Sequence, residues 1–156
     1  MDKQKRTWAE IDLENIRYNY RQMRLALRPE QKFLGVVKAN AYGHGAVKIA
    51  SVLEEEGADY LATACIDEAV ELRNGGIKLP VLILGITDPK YTEQLIEFNI
   101  TQALGSLENA KKMSEIAVKL GKTVKVHLKV DSGMGRVGFT CHGGRDSLDE
   151  MVQVSK

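Results

Sequence analysis

A lysine follows a short apolar run and precedes a glycine-rich turn in the stretch FLGVVKANAYGHG, residues 33–45. Because the run is apolar, desolvation disfavours the charged ammonium of Lys38 and favours a nucleophilic amine. Such an amine can bond covalently to the carbonyl carbon of an aldehyde cofactor. Tyr42 adds a phenol suited to a phosphate oxygen, and Asn40 with the turn from Gly43 to Gly45 offers flexible backbone that can approach a ligand closely. Taken alone, a solvated lysine on an ordinary loop remains the commoner arrangement.

A second cluster of candidate residues lies in KVDSGMGRVGF, residues 129–139. It combines Lys129 and Arg136 with a glycine-rich loop, and arginine suits a fixed carboxylate or phenolate. Two such cations would repel each other at close range unless an anion lay between them. A glycine loop with a surface arginine is the alternative. His127, in the middle of the preceding strand, is expected to be a hydrogen-bonded core residue.

Several other functions are disfavoured by the sequence. Neither cluster has the carboxylate pairs or the Cys/His sets expected for hydrolytic or metal chemistry, and the glycine loop lacks the GxxxxGK[ST] spacing of a nucleotide phosphate loop. The formal charge of +1 gives no reason to expect nucleic acid or an anionic membrane as partner. No stretch approaches the roughly 20 apolar residues of a membrane span. Cys65 and Cys141 are expected to be buried free thiols in a reducing, cytoplasmic setting.

Short apolar strands alternate with amphipathic helices along the chain, which predicts a parallel sheet. The predicted strands are 7–13, 33–37, 59–65, 81–86, 100–105 and 123–131. The predicted helices are 14–27, 46–57, 67–76, 92–99, 106–121 and 147–156, the last beginning with a capping box formed by Ser147 and Glu150.

The spacing of these strands is typical of a (β/α) barrel or a doubly wound sheet, in which ligands bind at the carboxyl ends of the strands. Candidate residues fall at the ends of three strands: Lys38 at the first, Gly85 at the third, and Lys129, Asp131 and Arg136 around the fifth. A complete barrel needs about 250 residues, whereas this sequence has 156. We therefore expect one domain, an incomplete parallel (β/α) TIM-type barrel with about five of eight strands, an unpaired sheet edge and exposed apolar helix faces.

Three blocks of the sequence resemble the alanine racemases. VVKANAYGHG (36–45) resembles their pyridoxal-phosphate attachment signature, HLKVDSGMGRVGF (127–139) a second block, and TWAEIDLENIRYN (7–19) their usual N-terminus. The resemblance implies an (α/β) barrel followed by a C-terminal β domain, a homodimer, and interconversion of L- and D-alanine for peptidoglycan. Residues 1–156 would then be the N-terminal barrel domain without the C-terminal β domain.

The resemblance also implies a role for each candidate residue. Lys38 matches the lysine that holds pyridoxal phosphate covalently and acts as one of two acid/base groups. Tyr42 matches a tyrosine on the cofactor phosphate, and Arg136 an arginine near the cofactor's phenolic oxygen and the substrate carboxylate. Lys129 matches a lysine that is carbamylated in some members, which would supply the anion beside Arg136.

The second acid/base group in the family is a tyrosine in the C-terminal domain of the other subunit. The 156-residue chain alone is therefore expected to racemise alanine negligibly. Two alternatives stay open: a non-catalytic, self-associating barrel fragment with weak or no cofactor binding, and a related barrel enzyme acting on another amino acid, such as a serine racemase or a decarboxylase.

Overall fold

The computed structural model of the protein describes residues 7–142 and 145–155, in which helices and strands alternate. The strands are β1 (Leu34–Val36), β2 (Tyr60–Thr63), β3 (Val81–Ile83), β4 (Ile100–Leu104), β5 (Lys125–Leu128), β6 (Val130–Asp131), β7 (Phe139–His142) and β8 (Arg145–Asp146). The helices are α1 (Leu13–Leu25), α2 (Lys38–Tyr42), α3 (Ala46–Glu55), α4 (Ile66–Asn74), α5 (Thr92–Glu97), α6 (Leu107–Lys119) and α7 (Leu148–Val154), with a 3₁₀ turn over Pro89–Tyr91.

Strands β1 to β5 form one parallel sheet in chain order. A helix separates each strand from the next, as a right-handed crossover between parallel strands requires. Within the described residues β1 pairs only with β2, and β5 pairs only with β4 in this sheet, so both edges are open. The predicted parallel α/β alternation and the unpaired edge are therefore present.

One face of the sheet is buried beneath the helices and the other is partly open. Side chains that share a face recur at every second residue along a strand. Val37, directly after β1, and Leu61 on β2 lie on the helix-facing side and are buried. On the opposite face Leu34 is 38% exposed and Val36 is 41% exposed. The core therefore lies between the sheet and its helices, and the other face is the concave side of an incomplete barrel. No described helix is both long and apolar enough to cross a membrane.

The opening segment was expected to be a strand over 7–13, and this prediction is wrong. Residues 7–12 have no regular secondary structure, and Leu13 is the first residue of α1. The Asp12 side chain accepts hydrogen bonds from Glu14 N (2.9 Å) and Asn15 N (3.3 Å), so it caps the helix. A strand needs a neighbour to pair with, and no described strand lies beside this segment. The alternation of residue types therefore did not decide its structure.

The predicted strand 123–131 divides at Lys129 because the two halves pair with different neighbours. Lys129 N donates to Leu104 O on β4 at 2.8 Å, while Lys129 O accepts from Phe139 N on β7 at 2.8 Å. Strand β6 pairs in parallel with β7, and β7 pairs antiparallel with β8. The pattern analysis did not predict this small three-stranded sheet. The remaining strands lie where they were predicted but are shorter at their ends.

Three further expectations about single residues are wrong. Cys65 and Cys141 are free thiols, as expected, but both are exposed rather than buried. His127 is also exposed, because it lies on an edge strand; its ring centroid is 5.9 Å from that of Tyr60. Ser147 precedes α7 without a side-chain capping bond, so the predicted capping box does not form.

A half-buried arginine, Arg73, joins the loops at the amino ends of β3 and β4. Its guanidinium donates to the carbonyl oxygens of Phe98 (2.8 Å), Ile77 (2.9 Å), Leu79 (2.7 Å) and Asn99 (3.1 Å). Burial lowers the pKa of this guanidinium, yet arginine stays charged at any pH where the protein folds. Each bond is therefore charge-assisted, which makes it stronger than a neutral hydrogen bond.

Replacing this arginine should destabilise the fold. Arg73→Ala leaves four carbonyl groups without their donor, and we expect it to lower the free energy of unfolding by roughly 2–4 kcal/mol in urea titrations. Arg28→Ala is the matched control, since the Arg28 side chain is 73% exposed and forms a surface ion pair with Glu30; its cost should stay within about 0.5 kcal/mol. Equal losses in the two variants would contradict this role of Arg73.

Candidate active site

Lys38 lies just beyond the carboxyl end of β1, as the sequence predicted. Val37 is held to β2 through its N–H, which donates to Ala62 O at 2.9 Å, and its side chain is buried. Lys38 itself is half-buried. Its amine has no hydrogen-bond or ion-pair partner within 7–142 and 145–155. The backbone of Lys38 is thus held in place, and its amine is not bonded to any described protein group.

The residues after Lys38 form a left-handed helical turn. Ala39, Asn40, Ala41 and Tyr42 have φ angles of 52°, 54°, 50° and 54°. Residues other than glycine adopt this conformation at a cost of roughly 1–2 kcal/mol each. Strain of this kind persists only where the surrounding contacts fix it, and it is frequent at functional sites. The sequence analysis expected a glycine-rich turn here, but it did not predict that the strained residues would be the four before the glycine.

Asn40 ties this turn to the start of α3. Its carbonyl oxygen accepts from Gly45 N at 2.9 Å, and its side-chain Oδ1 accepts from Ala46 N at 2.8 Å. Gly45, at the N-cap position of α3, has no side chain with which to cap the helix. Asn40 therefore satisfies an N–H of α3 from a distance. Its role is to fix the turn, whereas the sequence analysis had expected flexible backbone at this position.

Glu68, which the sequence analysis did not identify, contacts the same turn. Its Oε1 accepts from Ala39 N and its Oε2 from Ala64 N, each at 2.7 Å. Glu68 is the third residue of α4, the position from which a capping-box carboxylate reaches back to the preceding backbone. That position was a usable signal for the bond to Ala64. The bond to Ala39 spans 29 residues of sequence, and no local pattern predicts it.

In the second cluster a buried carboxylate folds the glycine loop. Oδ1 of Asp131 accepts from Gly133 N and Gly135 N, both at 3.0 Å. These backbone donors hold the pKa of the Asp131 carboxyl below its usual range, and His142, whose Nε2 lies 3.5 Å away, acts in the same direction. The sequence analysis placed Asp131 among the candidates at this strand end but assigned it no role, although an aspartate that bonds backbone two residues on is a familiar turn signal.

Close backbone packing sets the position of this loop. A Cβ atom on Gly138 would lie 2.7 Å from Asp131 N and 2.9 Å from Lys129 O. One on Gly105, at the end of β4, would lie 2.9 Å from Gly138 Cα. Only glycines permit these approaches. The loop borders an open cavity of about 350 Å³ that is lined by Arg136, Asp131 and His142, among others.

The four predicted site residues form two separate groups. Lys38 and Tyr42 share the left-handed turn after β1, whereas Lys129 and Arg136 lie after β5, at the opposite edge of the sheet. No described hydrogen bond or ion pair joins the groups, and the cavity beside Arg136 includes none of the other three. Tyr42 is 62% exposed, Arg136 is exposed and Lys129 is half-buried. No three His, Cys, Asp or Glu side chains within the described ranges are placed to hold a metal ion.

Comparison with known proteins identifies the family of the chain. The family model described as alanine racemase, N-terminal domain, matches residues 11–154. The chain belongs to this family. It is 44% identical to the alanine racemase of Clostridium tetani over 149 residues, which are 96% of this chain and 38% of that protein. The resemblance that the sequence blocks indicated is therefore confirmed.

Solved structures of this family confirm the fold. The alanine racemase of Clostridium difficile 630 superposes with a TM-score of 0.90 at 47% identity, over 96% of this chain and 39% of that chain. The histidine racemase of Leuconostoc mesenteroides gives a TM-score of 0.79 at 33% identity, over 92% of this chain and 37% of that chain. The predicted incomplete TIM-type barrel is correct. The chain spans less than two fifths of the length of these relatives.

The close packing at Gly138 predicts that a side chain at this position destabilises the fold. Gly138→Ala introduces a Cβ against backbone atoms at a φ of +130°, and we expect it to lower the free energy of unfolding by roughly 2–5 kcal/mol. The matched control is Gly121→Ala, where φ is +63° and no atom lies within 4 Å of the new Cβ. Its cost should be about 1–2 kcal/mol. Urea unfolding of both variants compares them, and a larger loss at Gly121 would contradict the packing assignment.

Proposed function

We propose that residues 1–156 form the N-terminal barrel domain of a pyridoxal-phosphate-dependent alanine racemase, which interconverts L- and D-alanine for peptidoglycan synthesis. The observation that carries this proposal is the free amine of Lys38 on a strained turn at the carboxyl end of β1, where parallel α/β folds bind their ligands. The names of the relatives support the same activity.

The donor set of the two groups fits pyridoxal phosphate. Lys38 supplies an amine for the aldehyde carbon, the exposed Tyr42 a phenol for the phosphate, and Arg136 a guanidinium for the phenolic oxygen or the substrate carboxylate. When bound, this cofactor supplies an electron-withdrawing ring that acidifies the α-carbon of the substrate. Carbamylation of Lys129 would replace a cation near Arg136 with an anion and so remove their mutual repulsion.

Lys38 would also act as an acid/base group toward the α-proton of the substrate. With cofactor and substrate bound, the Lys38 amine would accept the α-proton on one face of the substrate carbon and return it to that same face. Inversion needs a second acid/base group on the opposite face. We infer that a tyrosine from the C-terminal domain of a second subunit supplies it, as in the family, and that the racemase works as a homodimer.

A second candidate function is racemisation of another amino acid. It is favoured by the structural similarity to a protein named histidine racemase, which is 33% identical to this chain. The groups assigned here would contact the cofactor and the substrate carboxylate. A carboxylate is common to all amino acids. The identity of the substrate is therefore determined by residues other than Lys38, Tyr42 and Arg136. The two free, exposed thiols fit the reducing, cytoplasmic setting proposed for either enzyme.

Covalent trapping tests the assignment of Lys38. Purified chain incubated with pyridoxal phosphate and reduced with borohydride should carry one label, which peptide mapping should place on Lys38. Lys38→Ala should lose the label, because it removes the amine that directly precedes the left-handed turn. Lys48→Ala should retain it, since Lys48 is an exposed residue of α3 in the neighbouring segment. Equal labelling of Lys38→Ala and the unmodified chain would refute the proposal.

A further inference from the structure

The carboxylate of Glu68 joins the carboxyl ends of two adjacent strands. One oxygen accepts from Ala39 N, beyond β1, and the other from Ala64 N, beyond β2, each at 2.7 Å. Hydrogen bonds this short with an ionised acceptor are stronger than neutral ones. Each oxygen thus binds a different segment, so the carboxylate fixes the distance between the two.

The bond to Ala39 acts on the backbone of Lys38 directly. Ala39 N belongs to the peptide unit whose carbonyl carbon is that of Lys38, and this unit is planar and rigid. The same N–H leads into the left-handed turn, where Ala39 has φ 52° and ψ 48°. Fixing it therefore fixes the peptide plane from which the Lys38 side chain extends.

The local surroundings place this contact outside the hydrophobic core. Ala39 and Ala64 are both exposed, and Glu68 is half-buried. If the carboxylate were removed, water could reach both N–H groups and replace the acceptor, so the loss of overall stability would be small. Glu68 also forms no ion pair within 4.0 Å in the described part of the chain, so both oxygens are available to these backbone groups.

We propose that Glu68 is a positioning residue that holds the Lys38 peptide in the orientation needed for covalent attachment of the cofactor. This inference rests on the proposed function, since it concerns the same lysine. Glu68 touches neither the cofactor nor the substrate in this scheme. It acts through the backbone, by pinning the first residue of the left-handed turn to the end of β2.

The test compares Glu68→Ala, Glu68→Gln and Asp67→Asn in the purified chain. Pyridoxal phosphate is the probe, and the readout is its concentration dependence for borohydride-trapped label at Lys38. Glu68→Ala should raise the half-saturating concentration about tenfold, and Glu68→Gln less, since its amide keeps one acceptor oxygen. Asp67→Asn removes a neighbouring charge from the first turn of α4, at an exposed position without these bonds, and should match the unmodified chain.

Two further measurements separate positioning from a general loss of structure. The urea midpoint of Glu68→Ala should stay close to that of the unmodified chain, while amide hydrogen exchange at Ala39 and Ala64 should accelerate at least tenfold. If Glu68→Ala fails to fold, the half-saturating concentrations of Glu68→Gln and Asp67→Asn are compared instead, and the inference requires the higher value for Glu68→Gln.

Each result of these measurements bears differently on the inference and on the proposed function. Equal half-saturation for Glu68→Ala and the unmodified chain would overturn this inference while leaving the proposed function intact. Equal weakening by Glu68→Ala and Asp67→Asn would overturn it too, because the effect would then come from charge at the helix start. An unmodified chain that forms no label at Lys38 would refute the proposed function, and this inference with it.

Discussion

The four consecutive non-glycine residues from Ala39 to Tyr42 have positive φ angles and form a left-handed turn after the first strand. The rest of the candidate site depends on that turn. At roughly 1–2 kcal/mol per residue the strain is comparable to the whole stability of a small domain. Contacts from three directions hold the turn in this conformation. Val37 anchors the turn to β2, Asn40 anchors it to α3, and Glu68 anchors it to α4. A lysine carried by such a turn has a well-defined backbone and a free amine, which is what attachment of a cofactor requires.

The second cluster reaches a fixed geometry by a different physical route. There the buried Asp131 carboxylate holds the loop by accepting hydrogen bonds from backbone N–H groups. Gly138 contributes because, without a side chain, its backbone can pack directly against another backbone segment. The low pKa of Asp131 keeps it ionised through the neutral range, so the loop retains its acceptor. Because a depressed carboxyl pKa contributes stability only above that pKa, this support fails only in acid. Both clusters thus rest on acidic side chains that bind backbone.

The sequence predicted the parts of this structure that depend on local pattern. Apolar runs identified all five strands of the parallel sheet, and the position of Lys38 after the first of them followed from chain order. The parts it did not predict depend on neighbours distant in sequence. The bond from Glu68 to Ala39 and the exposure of His127 on an edge strand both follow from which elements become adjacent. Asp12 is a different case: alternation favoured a strand, but a capping side chain and the lack of a pairing partner outweighed it.

The two clusters lie at opposite edges of the sheet, so they can serve one ligand only if the sheet curves. In a flat sheet, strands β2 and β5 would be roughly 14 Å apart. Yet the Tyr60 and His127 ring centroids are 5.9 Å apart, and Tyr60 Oη lies 2.9 Å from Thr101 Oγ1 on β4. Side-chain reach contributes to this closeness, and the barrel fold that the solved relatives share curves the sheet toward its open face. In an eight-stranded barrel the first and fifth strands lie across the lumen from each other. A ligand above the carboxyl ends would then meet Lys38 from one side and Arg136 from the other. The curvature of the sheet is therefore as much a part of the site as the residues themselves.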